Sequence, residues 1–259
     1  MGERTQYVPG TFCWADVATT DQEGAKAFYG ALFGWEIEDL PAGDGVSYSM
    51  AHIDGKPVAA ISPQPEQQRE AGVPPMWNSY VSVESADAAA DRAKELGATV
   101  HAPPFDVMQA GRMAVVQDPQ GAFLMVWEPR DMIGAQLVNG PGRLSWNELT
   151  TPDADPARSF YGDLFGWSFD PFEGSPAPYF VIKNRDRGSG GIAEVDRPGM
   201  PPVWIPYFGT DDIDSGISKV GDLGGSKMMG PADIGIAKIA FVTDPQGAAF
   251  ALYAGQFED

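Results

Sequence analysis

Two carboxylates occupy the most chemically suggestive positions of this 259-residue chain, each two residues after a tryptophan. Asp16 follows Trp14, and Glu148 follows Trp146 at the same offset, 132 residues further on. A carboxylate held beside an indole loses hydration, its pKa rises, and it becomes suited to general acid or base work. A structural ion pair is the competing reading. Arg112 and Lys238 lie at matching places before a later turn and could each neutralise the carboxylate of their own copy. His52 and His101, the two histidines, fall on different strands without counterparts in the second copy, so they read as surface or hydrogen-bonding residues. Cys13 is the one cysteine, which excludes an internal disulfide. Strand alternation turns it away from Trp14, as a small buried hydrophobe without a basic neighbour to activate it.

The elements that position these residues are repeated. Residues 9–40 and 141–172 align at a shift of 132, from Pro9 on Pro141 through Phe28-Tyr29 on Phe160-Tyr161 to Gly34-Trp35 on Gly166-Trp167. Residues 12–18 read as a strand. Thr19-Thr20-Asp21 supplies N-cap residues, Ala27, Phe28, Ala31 and Leu32 make one apolar helical face, and Gly34 ends the helix. Short strands at 35–38, 46–51 and 58–62 follow, then a polar, Pro-rich loop over 63–75. A second unit opens with a strand at 77–83 and a helix at 85–96, and closes with strands at 99–101, 112–117 and 122–127. The last two flank the turn Asp118-Pro119-Gln120-Gly121, matched by Asp244-Pro245-Gln246-Gly247. The pattern is βαβββ four times over, an α+β chain with domains at 9–129 and 141–255 joined by a linker at 130–140.

A paired βαβββ unit carrying FYxxLFGW and closing with DPxG resembles the vicinal oxygen chelate superfamily, which includes glyoxalase I, extradiol dioxygenases and bleomycin-resistance proteins. The nearest resemblance is to tandem glyoxalase-like proteins of actinobacterial type. It implies curved mixed sheets around cups, and in metal-dependent members two His or Gln plus two Glu holding a divalent cation. Carried over residue by residue, those positions land on Trp14 and Trp146, near Asn78 and Ile205, and on Met125 and Ala251. The windows 58–62 and 189–193 hold no His, Asp, Glu or Gln for the remaining ligand. Indole and thioether do not replace imidazole or carboxylate on such ions. The expectation is therefore no metal and no other cofactor.

With Trp14 turned inward, a period of two brings Phe12, Asp16 and Ala18 to the same face, and Leu144, Glu148 and Thr150 join Trp146 in the second copy. The other inward strands present Asn78, Tyr80, Met125 and Trp127, against Tyr207 and Tyr253. Each cup then has aromatic walls, a tyrosine hydroxyl and one carboxylate. Such a composition fits a site for a small, partly aromatic metabolite or antibiotic. It also fits a packed core that replaced a lost metal. Trp77, Trp204, Trp35 and Trp167 read as structural. The two functional expectations are a metal-independent binding protein and, alternatively, an isomerase, lyase, cyclase or hydroxylase using Asp16 or Glu148 as acid or base. An interaction protein with filled cups is the third.

The formal net charge of −19 disfavours partners with phosphate backbones or anionic membranes. No apolar run reaches the ~18–20 residues of a membrane span, and the first residues lack the apolar core of a signal peptide. A cytoplasmic monomer or homodimer is expected.

Overall fold

The structure is a computed structural model and describes residues 2–43, 45–175, 177–195 and 201–257. The first half runs β1 (Gly2–Glu3), β2 (Phe12–Thr19), α1 (Gln22–Phe33), β3 (Glu36–Pro41), β4 (Ser47–Ile53), β5 (Lys56–Pro63), α2 (Glu66–Glu70), β6 (Met76–Ser82), α3 (Ala86–Glu95), β7 (Thr99–Val107), β8 (Gly111–Gln117) and β9 (Phe123–Pro129). After β10 (Leu137–Val138) the second half runs β11 (Leu144–Thr151), α4 (Ala154–Phe165), β12 (Ser168–Pro171), β13 (Tyr179–Asn184) and β14 (Arg187–Glu194). It ends with β15 (Val203–Gly209), α5 (Ile213–Asp222), β16 (Ser226–Asp233), β17 (Ala237–Thr243) and β18 (Ala249–Gly255).

The caps follow their sequence signals. Asp21 and Asp153 each accept a backbone N–H of the first helical turn. Gly34 and Gly166 sit at φ near +70°, the left-handed conformation a side chain resists, and close α1 and α4 onto Gly30 and Gly162. The loop expected over 63–75 contains the short helix α2, and β7 runs six residues beyond its expected end.

Each half makes one eight-stranded mixed sheet, in the order β3-β4-β5-β2-β6-β9-β8-β7 and β12-β13-β14-β11-β15-β18-β17-β16. At the centre of each, the opening strands of its two βαβββ units lie antiparallel, β2 on β6 and β11 on β15. The closing strands β5, β9, β14 and β18 flank them in parallel. An irregularity in β2 between Phe12 and Trp14, repeated in β11 between Leu144 and Trp146, resets the alternation. This corrects two expectations. Phe12 lies against Trp167 and Trp204 of the other half, and Leu144 packs with Phe208, so neither enters its cup. Cys13 joins the cluster of Trp14 and Tyr80, fully buried, with its thiol donating to the Tyr80 carbonyl at 3.6 Å.

The FYxxLFGW segments join the halves reciprocally. The Tyr29 hydroxyl donates to Asp244 Oδ2 in the Asp-Pro-Gln-Gly turn of the second half (2.9 Å) and accepts from Trp77 Nε1 (3.0 Å). Tyr161 repeats this with Asp118 (2.9 Å) and Trp204 (2.9 Å). The Trp35 indole donates to the Gly142 carbonyl and the Trp167 indole to that of Gly10, each at 2.7 Å. Around each clasp the aromatic side chains of both halves form one core, with Phe33 on Phe208 at 5.2 Å and Phe12 on Trp204 at 5.0 Å. The helices and the backs of the sheets are therefore buried together, and the concave faces are directed away from this shared core.

Candidate functional site

In the first cup Asp16, 3% exposed, is held by three donors on β4 and β6. Asn78 Nδ2 donates to Oδ1 at 2.7 Å, and the hydroxyls of Tyr80 (2.7 Å) and Tyr48 (2.9 Å) donate to Oδ2. The Trp14 indole N–H in turn donates to the Tyr48 oxygen at 2.9 Å. Burial raises the Asp16 pKa, and the three hydrogen bonds oppose it by favouring the charged form.

The second cup repeats the motif with changes. Glu148, 5% exposed, accepts the Tyr207 hydroxyl at 2.7 Å and is also hydrogen-bonded by Tyr179. The Trp146 indole donates to the Tyr179 oxygen at 3.0 Å. Ile205 stands where the first cup has Asn78, each opposite its carboxylate residue in the strand register. Burial is the largest influence here as at Asp16, and with one amide donor fewer to oppose it the Glu148 pKa is pushed up to about 7.

The structure thus brings Trp14, Asp16, Asn78, Tyr80, Met125 and Trp127 together in one cup, and Trp146, Glu148, Tyr207 and Tyr253 in the other. Trp127 and Tyr253 lie in their cups' apolar clusters but use their polar atoms on backbone, Met132 and Gln256 respectively. Tyr48 and Tyr179 were not among the expected residues. They match at a shift of 131, a paired tyrosine on the third strand of each half's first βαβββ unit that could have been found by following the repeat past its opening segment.

The ion-pair expectation fails in both copies. Arg112 is bidentate on Asp87 (2.7 and 3.0 Å) and also reaches Asp106 (3.0 Å) on the outer side of its sheet, and Lys238 is solvent-exposed. Among the described residues the hydrogen-bond partners of the two carboxylates are tyrosines and, for Asp16, an asparagine, and none is a cation. His101 bonds Gln117 at 2.8 Å at the surface.

The positions that correspond to metal ligands in metal-dependent relatives do not fit a divalent cation. Trp14 and Trp146 present N–H donors already committed to tyrosine oxygens, and Met125 and Ala251 offer a thioether and a methyl group. Among the described residues no group of three or more His, Cys, Asp or Glu could hold a metal ion.

Four βαβββ units in two curved sheets, each with a buried carboxylate in its hollow, define a class of tandem cup-forming proteins. The chain belongs to the Glyoxalase/Bleomycin resistance protein/Dioxygenase superfamily, whose family model matches residues 11–126. It is 43% identical over 256 residues to "Putative glyoxylase CFP32" of Mycobacterium tuberculosis (strain CDC 1551 / Oshkosh), covering 97% of each chain. It is 33% identical over 261 residues to the anthracycline biosynthesis protein DnrV of Streptomyces peucetius, covering 96% of this chain and 94% of that one. Among solved structures, the Mn(II)-bound glyoxalase of Novosphingobium aromaticivorans superposes with a TM-score of 0.66 at 15% identity, covering 100% of this chain and 85% of that one. The 2,3-dioxygenase LapB of Pseudomonas sp. KL28 gives 0.65 at 12%, covering 98% and 96%. At these identities the likeness is one of fold. No helix among the described residues is long and apolar enough to cross a membrane.

Proposed function

We propose that this protein binds a small, partly aromatic molecule in an aromatic-lined cup without a metal or other cofactor. The observation that carries the reading is the donor set. Where a chelate would need imidazole or carboxylate, each cup has an indole engaged with a tyrosine, which in turn holds a single carboxylate. That arrangement offers flat apolar walls with a few polar groups, the composition of a small-molecule site. The Streptomyces relatives named for anthracycline biosynthesis support a ligand drawn from secondary metabolism.

One observation favours a second reading, an enzyme that moves a proton. Glu148, with its pKa near 7, exchanges a proton readily at neutral pH, as a general acid or base must. The test is a thermal-shift screen of aromatic metabolites, with and without a chelator, on protein whose metal content has been measured. A ligand at a hundred times its Kd stabilises by about 2.7 kcal/mol, and the shift should survive chelation. A stoichiometric, tightly held divalent metal whose removal abolishes binding would overturn the proposal. Turnover of a hit that Glu148→Gln abolishes while Kd is kept would establish the enzyme.

A further inference from the structure

The two cups share a plan but differ in what covers them. In the first, chain from outside the sheet packs into the hollow. Tyr7, Met132, Ala135 and Val138 join the apolar cluster of Trp14, Tyr80, Met125 and Trp127. These segments are fastened there by hydrogen bonds. The Tyr7 hydroxyl donates to the Ala135 carbonyl (2.6 Å), the Ala135 N–H to the Cys13 carbonyl (2.8 Å) and the Trp127 indole to the Met132 carbonyl (2.9 Å). A two-stranded ribbon of β1 and β10 continues the cover, and the Gln136 N–H donates to the Pro57 carbonyl on β5. Trp14 is left 3% exposed.

In the second cup the corresponding cluster draws on strands of its own sheet, among the described residues, and chain from outside the strands reaches only its rim, with Phe172 6.0 Å from Tyr179 and Phe257 5.5 Å from Tyr253 between ring centres. Trp146 keeps partial exposure where Trp14 does not, and Tyr179 is half-buried like its counterpart Tyr48. The strand beside the indole is also pared down. Gly188 takes the place of Pro57 by register, and its missing side chain would have lain 3.5 Å from the Trp146 ring. The Trp146 indole and Tyr179 thus form a half-buried wall, with the Glu148 carboxyl, 5% exposed, directly behind the Tyr179 hydroxyl.

We propose that the duplication has divided its labour: the first cup is a self-filled structural core, and the second, at Trp146, Tyr179 and Glu148, takes the ligand. This rests on the function proposed above and adds the ligand's chemical class. The polar groups of the wall are two phenols and a carboxyl group, and among the described residues the hydrogen-bond partners of that carboxyl group include no cation. The Lys183 ammonium on β13, the strand of Tyr179, lies against Asp170 at 4.0 Å. An anionic ligand would meet a carboxyl group and no counter-charge, whereas a neutral aromatic ketone can stack on the indole and accept a hydrogen bond through its oxygen. The ligand class is thus an uncharged, flat aromatic carbonyl compound.

Two probes of nearly equal shape separate these possibilities, 2-acetylnaphthalene and the anion naphthalene-2-carboxylate. Titration calorimetry on the full chain at pH 6 should show one molecule of the ketone per chain and a carboxylate at least about tenfold weaker, a difference of about 1.4 kcal/mol. Gly188→Val, which covers the indole, should weaken the ketone by about tenfold or more. Pro57→Gly, the same exchange in reverse at the first cup, should leave Kd within about twofold. Circular dichroism checks that both variants are folded. Two molecules per chain, or loss of affinity on Pro57→Gly with none on Gly188→Val, would overturn the division of labour while leaving a ligand-binding cup in place. Equal binding of both probes, or of neither while another ligand from the wider screen binds, would overturn the ligand class. No ligand from any screen would instead sink the underlying function.

Discussion

Replacing Glu148 by Gln should convert a pH-dependent stability into a flatter one, by an amount that follows from the burial of this single group. The folded protein holds the Glu148 proton up to about pH 7, whereas the unfolded chain releases it near the ordinary value of 4.5. Between those values the folded state binds more protons than the unfolded state, so stability falls as pH rises. The contribution is fully present below about 4.5 and is lost by the time pH has passed about 7. At about 1.4 kcal/mol for each pH unit, the loss is on the order of 3 kcal/mol. Glutamine is neutral throughout and can still accept the Tyr207 hydroxyl, so it escapes the loss. Urea unfolding of both proteins from pH 4 to 8.5 measures the effect. The variant's stability relative to the parent should climb by about 3 kcal/mol across that range, whatever constant offset the amide introduces, because the other titrating groups cancel in the difference. A difference independent of pH would refute the argument that burial controls this carboxylate.

Three further outcomes are expected. Tyr29→Phe leaves Asp244 Oδ2 and the Trp77 indole without their buried partner and should cost about 2–4 kcal/mol in urea unfolding, with Tyr161→Phe costing a similar amount at the opposite clasp. Arg112→Ala should leave the pH profile of stability in the range of the cup carboxylates unchanged, since its partners are the exposed Asp87 and Asp106; a profile altered near neutral pH would restore the ion-pair reading. In Gly191→Ala the new methyl group would overlap the Tyr179 hydroxyl, so the tyrosine must leave Glu148 and the Glu148 pKa should rise, read by the same pH-dependent unfolding. Adding Glu148→Asp, which recreates the pairing found in the first half, should recover much of the stability.

The repeat made most of the architecture legible. Helix caps, the Asp-Pro-Gln-Gly turns and the βαβββ order all depend on local residue types, and these survive duplication visibly. The carboxylates and the strand tyrosines Tyr80 and Tyr207 were also legible, because inward positions recur every second residue along an undisturbed strand. The irregularity before Trp14 was not legible. A bulge inserts one residue without a composition of its own, and it moved Phe12 and Cys13 to faces opposite those that alternation gave them. Tyr48 was missed because β4 reaches Asp16 through β5, two strands over, and such lateral proximity leaves no local pattern. The role of Tyr29 was hidden for the same reason, since its partner Asp244 lies 215 residues away.

The pattern of what changed between the copies separates constraint from freedom. The two clasps agree residue for residue, tyrosine to aspartate and tryptophan to tyrosine, because each half completes the other's core and an alteration would leave a buried donor or acceptor unpaired. The cups changed in compensated pairs. Asp16 lies opposite Ala60, and Glu148 lies opposite Gly191. The longer acid carries its carboxyl group one carbon further into the hollow, and the alanine methyl is removed where Tyr179 must follow it. Asparagine beside Asp16 has isoleucine as its counterpart beside Glu148, so a donor that favours the charged acid in one cup is matched by a hydrocarbon that does not in the other. Burial raises the pKa of both carboxyl groups, and the second lacks the amide donor that opposes this shift in the first. Packing accounts for the exchange of alanine and glycine beneath the two acids, whereas the exchange of asparagine and isoleucine alters the chemistry of the carboxyl group, as expected if the second cup is the ligand site proposed above.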